Sequence, residues 1–282
     1  MNILNCGPYK LDLNKPVVMG ILNVTPDSFS DGGKFNELDA AMRQAETMVA
    51  EGADIIDIGG ESTRPGAAAV SVQQELDRVI PLVEKLSRQL EIPVSVDTNK
   101  AQVMSESVRA GAGMINDVMA LQNEGALQAA ALLDSSIAIC LMHMQGQPRT
   151  MQHDPQYDDV VQDIFSFLEH RTKDCIEAGI NRQQLCIDPG FGFGKTLEHN
   201  LSLLKNLEEF TKMELPVLVG LSRKSMLGAL LGDVPPKQRI DASIAASVLA
   251  YERGAQILRV HDVRQTVDAL KVASAILSRE LN

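Results

Sequence analysis

Eight polar residues close short apolar runs along this chain: Asn23, Asp57, Asp97, Asn116, His143, Asp188, Ser222 and His261. A single polar residue at such a place says little, because chains turn polar wherever solvent begins. Eight of them, weighted towards Asp, Asn and His, point to one shared pocket. Three carboxylates at one partly dry mouth, Asp57, Asp97 and Asp188, require donors, since unpaired buried charge is electrostatically unfavourable. A metal would supply the need, and so would a ligand rich in ring N–H and amino groups. A 2-amino-4-oxo pyrimidine edge, for example, meets a carboxylate through two parallel hydrogen bonds. The sequence has no HxH or HExxH spacing, which argues against a tight transition-metal site.

Three cations accompany these acids: Arg64 after the second run, Lys224 after the seventh and Arg259 within the eighth. Period-two alternation places Arg259 and His261 on one face of their strand, with Leu258 and Val260 on the other. Arg259 leaves two readings, a structural ion pair with one of the aspartates or a contact to a diphosphate. The segment 23–33 is polar and glycine-rich with one exposed-looking Phe29, a composition suited to a lid. Residues 59–66 combine glycines, hydroxyls and Arg64, which suits presentation of donors to phosphate oxygens. Inert turns share both compositions. The run 188–195, DPGFGFGK, lacks the GxxxxGK[ST] spacing of a Walker A loop.

The elements that must position these residues follow from periodicity. Apolar, β-branched runs at 17–23, 54–59, 92–97, 113–117, 137–143, 184–188, 217–222 and 257–261 read as buried parallel strands. Helical spacing occupies 37–51, 72–90, 101–110, 157–178 and 243–253 between them. Glycines at 52, 111, 179 and 254 stop four helices just before the next strand, as left-handed C-caps do. Eight strand-plus-helix units predict an α/β fold, a (β/α)8 TIM barrel, whose functional surface is the C-terminal face of its strands. The 282 residues are close to the roughly 250 of one closed barrel. We therefore expect a single domain over 1–282, with residues 1–15 capping the N-terminal face.

A net charge of −11 excludes nucleic-acid binding through a general basic surface. Cys6, Cys140, Cys175 and Cys186 form no CxxC pair, so neither a disulfide framework nor a zinc knuckle is indicated. No basic leader precedes a long apolar stretch, and no run nears the ~18 apolar residues of a membrane span. A reducing cytoplasm is expected. His153, His170 and His199 read as solvated surface residues, and Met42, Met48 and Met104 as packing.

Two longer stretches carry a resemblance: residues 19–33, MGILNVTPDSFSDGG, and residues 57–67, DIGGESTRPGA, resemble the signature segments of dihydropteroate synthases. The likeness continues in order through 94–98, 115–117, 141–146, 188–195, 220–225 and 259–263, with Asn99 where serine is expected. The resemblance implies a transferase of folate biosynthesis that joins 6-hydroxymethyl-7,8-dihydropterin diphosphate to p-aminobenzoate, giving 7,8-dihydropteroate and diphosphate. It implies a pterin held by Asp97, Asn116, Asp188 and Lys224, walled by Met142, Phe193 and Gly220 and covered by Arg259. Diphosphate would lie near Asn23, Arg64, Arg259 and His261, with Mg²⁺ on Asn23 and Asp31. p-Aminobenzoate would lie among Phe29, Thr63, Pro65, Lys224 and Ser225, and sulfonamide sensitivity would be tuned at Phe29 and Pro65. Asp97, Lys224, Arg64, Arg259 and His261 would carry the catalysis. The family also implies a homodimer, for which the Ala-rich helix at 244–251 and its neighbour are the expected surface. The alternatives are a pterin-binding barrel that transfers methyl groups and a silent pterin binder.

Overall fold

The computed structural model describes residues 2–24, 33–62, 70–146 and 150–277. The chain opens with an antiparallel hairpin of β1 (Ile3–Cys6) and β2 (Tyr9–Asp12). Eight strands follow: β3 (Val17–Asn23), β4 (Ile55–Gly59), β5 (Val94–Asp97), β6 (Met114–Asp117), β7 (Ala138–Met142), β8 (Leu185–Asp188), β9 (Leu218–Val219) and β10 (Ile257–Val260). They form one parallel sheet in the order β8-β7-β6-β5-β4-β3-β10-β9. A parallel bridge between Ile187 and Val217 joins its two ends, which closes the barrel. The helices are α1 (Gly33–Ala50), α2 (Val72–Gln89), α3 (Ala101–Arg109), α4 (Ala126–Ala131), α5 (Val160–Glu177), α6 (Leu197–Lys205), α7 (Ser225–Leu230), α8 (Ile240–Glu252) and α9 (Val263–Leu277).

Each strand predicted from its apolar run is present. The four glycine stops have positive φ, at +101° for Gly52, +112° for Gly111, +100° for Gly179 and +94° for Gly254. Helices α4, α6 and α9 complete the strand-plus-helix units without being delimited by the sequence spacing, and α7 is a short helix added before α8. Two of them, α4 and α7, are only 6 residues long, too short for a 3.6-residue period to stand out.

Period-two alternation sorts the strand residues into two cores. Ile56, Ile58, Val94, Val96, Ile115, Ile139, Leu141, Ile187, Leu258 and Val260 face outward and belong to the core shared with the helices. The stripe Val79, Leu82, Val83 and Leu86 of α2 is fully buried there, each side chain contributing about 1.5–3 kcal/mol relative to exposure. Ser71 starts that helix with a reciprocal capping box to Gln74, satisfying two otherwise unpaired N–H groups.

The inward residues Val17, Met19, Ile55, Met114, Ala138, Cys140, Cys186, Leu218 and Ile257 fill the lower barrel together with Leu4, Cys6, Leu11 and Leu13. The N-terminal hairpin thus plugs the bottom. Gly113 makes the plug possible, because a Cβ there would stand 2.4 Å from the carbonyl oxygen of Cys6. With the lower layers apolar and sealed, the polar inward residues collect at the C-terminal end. No helix of the described residues is long and apolar enough to cross a membrane.

Candidate active site

The same alternation that buries Ile55 carries Asp57 inward one step higher on β4. Ser95 and Asp97 on β5, Asn116 on β6, Met142 on β7, Asp188 on β8 and Arg259 on β10 follow the same rule. Arg259 enters this ring of acceptors and donates from Nε to Asp57 Oδ2 at 2.6 Å and from Nη2 to Asp97 Oδ2 at 3.0 Å. The Asn116 amide donates to Asp57 Oδ2 at 3.4 Å. Asp57 Oδ1 and Asn116 Oδ1 are buried with no hydrogen-bond partner among the described residues. Buried acceptors are rarely left so.

Lys224 follows β9 and reaches back over the mouth. Its Nζ donates to the carbonyl of Phe191 and stands 4.0 Å from the centroid of the Phe193 ring, a cation–π distance. The approach depends on Gly192, where a Cβ would lie 2.9 Å from Lys224 Cδ. Preceding it, Arg223 takes a left-handed φ of +58° and is anchored by Asp262, 3.0 Å from its Nε. Met142 belongs to a small apolar cluster with Val118, Met144 and Met151, against which Phe193 packs. Gly220 leaves a gap beside Arg259, since a Cβ there would meet nothing closer than 3.9 Å. Asn23 stands half-buried at the end of β3, and a Cβ at Gly59 would lie 3.0 Å from its Oδ1. The His261 ring reaches Ser222 Oγ through Nδ1 at 3.0 Å. Ser225 is exposed and opens α7.

The electrostatics follow from this packing. Burial pushes Asp97 up to about 7, with Arg259 pulling it down and Asp57 and Glu75 adding to the rise. Burial also raises Asp188, against the Gly190 N–H, Lys224 and Lys195. Lys224 is brought down to about 8 by burial, with Asp188 opposing and Arg259 reinforcing the change. For Arg259 burial works against the charge, yet Asp57 and Asp97 outweigh it and hold its pKa above the ordinary value. The ion-pair reading of Arg259 names one aspartate partner; it has two.

His143 departs from the sequence expectation. It follows inward Met142 on β7, so the pleat turns it away from the mouth, and its ring packs edge-on to Phe167 with centroids 4.8 Å apart. The apolar run 137–143 extends one residue beyond the strand, which ends at Met142. Phe29, Asp31, Thr63, Arg64 and Pro65 lie outside the described residues. The remaining expected site residues, Asn23, Asp97, Asn116, Met142, Asp188, Phe193, Gly220, Lys224, Ser225, Arg259 and His261, all lie at or above the C-terminal strand ends.

Some groups escaped the sequence reading. Lys195 is buried, 2.9 Å from His143 Nδ1, and the sequence reading of the glycine-rich run ending on it assigns this lysine no role. Lys100 bonds both Glu61 and Glu75, and Glu61 Oε1 accepts from Val70 N at 3.0 Å. Glu75 lies on the buried stripe of α2, four residues before Val79. A carboxylate in phase with an apolar stripe was the signal available for it.

A barrel whose mouth gathers buried carboxylates around two cations agrees with what the chain resembles. The family described as pterin binding enzyme matches residues 19–261. Dihydropteroate synthase of Escherichia coli strain K12 is 54% identical over 272 residues, covering 96% of this chain and 95% of that protein. The chain belongs to the dihydropteroate synthases. A crystal structure of the Yersinia pestis dihydropteroate synthase in complex with a sulfonamide drug superposes with a TM-score of 0.92 at 56% identity, covering 98% of this chain and 99% of that one. The Burkholderia cenocepacia dihydropteroate synthase complexed with 7,8-dihydropteroate gives a TM-score of 0.88 at 48% identity, with coverage of 97% and 96%. As a dihydropteroate synthase family member the chain is a transferase of folate biosynthesis.

Proposed function

We propose that the barrel mouth binds 6-hydroxymethyl-7,8-dihydropterin diphosphate and condenses it with p-aminobenzoate. Asp57 Oδ1 and Asn116 Oδ1, buried acceptors without partners beside Asp97 and Asp188, carry the proposal. A pterin edge brings ring N–H and amino donors to just such a set, and the Met142 and Phe193 side chains supply apolar walls. Asp97, Asn116, Asp188 and Lys224 would hold the pterin, with Arg259 over one face. The diphosphate would lie towards Asn23, Arg64, Arg259 and His261, and p-aminobenzoate towards Phe29, Thr63, Pro65, Lys224 and Ser225.

In the proposed reaction the pterin methylene C–O bond breaks and its electron pair leaves with the diphosphate. The aniline nitrogen of p-aminobenzoate then bonds to that carbon and releases a proton. A neutral aniline is already nucleophilic, so no activating Ser-His-Asp arrangement is required. Arg64 and Arg259 would place positive charge where the leaving group gathers negative charge, and Asp97 would face the positive charge developing on the pterin side.

The donor chemistry at the rim suits Mg²⁺. Among the described residues no group of three or more His, Cys, Asp or Glu could hold a metal, whereas Mg²⁺ uses few protein oxygens beside water and phosphate. Asn23, with Asp31 beyond the described residues, would hold the ion, which would neutralise charge on the departing diphosphate.

A second copy of the chain would bind on the outer face of α8 and α9. Leu249 of α8 and Val272 and Ile276 of α9 are exposed there, Ile276 by 77%, and α8, apolar nearly all round, calls for cover on its outer side as well. A monomeric mass in light scattering at micromolar concentration would exclude that dimer. The four buried thiols suit a reducing cytoplasm, and we take 1–282 as one domain.

The test is diphosphate release by the purified protein with the dihydropterin diphosphate and Mg²⁺, with and without p-aminobenzoate, while dihydropteroate is followed directly. We expect dihydropteroate from the natural sequence and its near loss in Arg64→Ala. Tight pterin binding with no product would overturn the proposal.

A further inference from the structure

The segment that follows β8 has glycines at alternate positions, all left-handed: Gly190 at φ +73°, Gly192 at +77° and Gly194 at +63°. It therefore holds few side chains with which to pack itself; Tyr157 OH and Gln152 Nε2 donate to the Gly194 and Gly192 carbonyls from the rim, and two buried polar residues, Asn200 and Lys195, hold it from within. Asn200 Oδ1 accepts from Gly192 N at 2.7 Å, while its amide donates to the carbonyls of Thr196 at 2.6 Å and Lys195 at 3.3 Å. Lys195 is only 3% exposed. Its Nζ lies 2.9 Å from His143 Nδ1, 3.0 Å from the Phe193 carbonyl and 3.4 Å from the His143 carbonyl.

Three acceptors around one amine match the three protons of an ammonium. His143 must then present Nδ1 as a lone pair and carry its own proton on Nε2. Burial, reinforced by the Lys195 charge, keeps that ring neutral down to about 2. Burial also draws Lys195 well below its ordinary range, with the Asp188 carboxylate pulling the other way.

The segment fixed in this way carries the groups that set the pterin site. Gly190 N donates to Asp188 Oδ1 at 2.7 Å, the Phe191 carbonyl accepts from Lys224, and the Phe193 ring underlies the same ammonium. Gly190 presses so closely on β7 that a Cβ would stand 1.8 Å from the His143 carbonyl oxygen. We propose that Lys195 is a positioning residue for pterin binding: by pinning the glycine-rich segment to His143 it holds Lys224 and Asp188 in their binding geometry. The inference rests on the proposed pterin site and adds to it a residue that touches no substrate.

The experiment compares Lys195→Met, His143→Leu and His143→Asn, the last retaining an acceptor near the Nδ1 position. Folding is checked by circular dichroism and thermal melting, and binding of the dihydropterin diphosphate is measured by calorimetry without p-aminobenzoate. Misplacing binding groups by about an ångström should weaken pterin affinity about tenfold to a hundredfold in folded Lys195→Met and His143→Leu. His143→Asn should stay within about threefold of the natural sequence, because its acceptor survives. A purely structural lysine would lower the melting temperature and leave the affinity of the folded protein unchanged, which would overturn the inference. If Lys195→Met does not fold, the contrast between Leu and Asn at 143 decides. Failure of the unaltered protein to bind the pterin would instead sink the site assignment beneath it.

Discussion

Arg259 Nη2 stands 3.0 Å from Asp97 Oδ2 while its Nε is bonded to Asp57, so an acid proposed to hold the pterin also belongs to an internal ion-pair network. Burial opposes the Asp97 charge, and Arg259 retains a carboxylate partner in Asp57 when Asp97 is altered. Asp97→Asn keeps an oxygen for Nη2 and removes the opposed charge. We expect its melting temperature to be unchanged or raised by a few degrees, as often happens when a site strained for function is relieved. Pterin affinity should fall about 100-fold through loss of a charge-assisted pair. Calorimetric titration and thermal melting check both halves, and a large loss of stability would show that Asp97 mainly holds the barrel.

The two shifted groups bracket neutral pH. Asp97, pushed up to about 7, loses its carboxylate form as pH falls through that value. Lys224, brought down to about 8, loses its ammonium as pH rises through that one. The kcat/KM for the pterin diphosphate should therefore peak between about 7 and 8, since that ratio reports the free enzyme. Lys224→Arg stays charged to above about 12 and should lose the alkaline limb. A flat profile from about 6 to 9 would remove both assignments. The stability sign differs. An acid raised from 3.8 to about 7 binds more protons folded than unfolded across that interval, so the Asp97 contribution declines as pH rises through it.

Strand order and site location were legible because alternation is local: every apolar run carries its own inward and outward residues. Asp57, Asp97 and Asn116 needed only that rule. His143 is misplaced by its position at the end of an apolar run, whereas β7 stops at Met142 and alternation from that inward residue turns His143 to the other face. Lys195 was harder. Its partners are His143, 52 residues earlier, and the carbonyl of Phe193, and no periodicity connects a glycine-rich segment with the strand it presses against. The Lys100 bridge to Glu61 and Glu75 likewise joins residues 39 and 25 positions apart.

Arg223 supplies a prediction of a different kind. Its left-handed φ of +58° costs a non-glycine residue energy, and the bidentate pair with Asp262 holds it there. That turn aims Lys224 at the mouth. Asp262→Ala should cost about 1–3 kcal/mol of stability by leaving a partly buried guanidinium unpaired. It should also lower kcat/KM about tenfold through the displaced Lys224. Urea unfolding and steady-state kinetics give the two numbers, and unchanged kinetics would mean that the turn keeps its shape without the pair.

Two glycines near the mouth should answer the same substitution in opposite ways. At Gly190 the backbone has φ +73° and a Cβ would meet the His143 carbonyl oxygen at 1.8 Å. Relief requires moving a buried strand end, so Gly190→Ala should destabilise by about 3 kcal/mol or more or fail to fold. At Gly220 a Cβ would meet nothing nearer than 3.9 Å, and the neighbouring atoms belong to the Arg259 side chain. Gly220→Ala should therefore melt within a degree or two of the natural sequence, the usual outcome where no contact is strained. If Gly220 forms a wall of the pterin pocket, the added methyl occupies ligand space, and pterin affinity should drop about tenfold with the fold intact. Equal affinity in a folded Gly220→Ala variant would move the pterin away from β9 and towards the Asp57 side of the mouth.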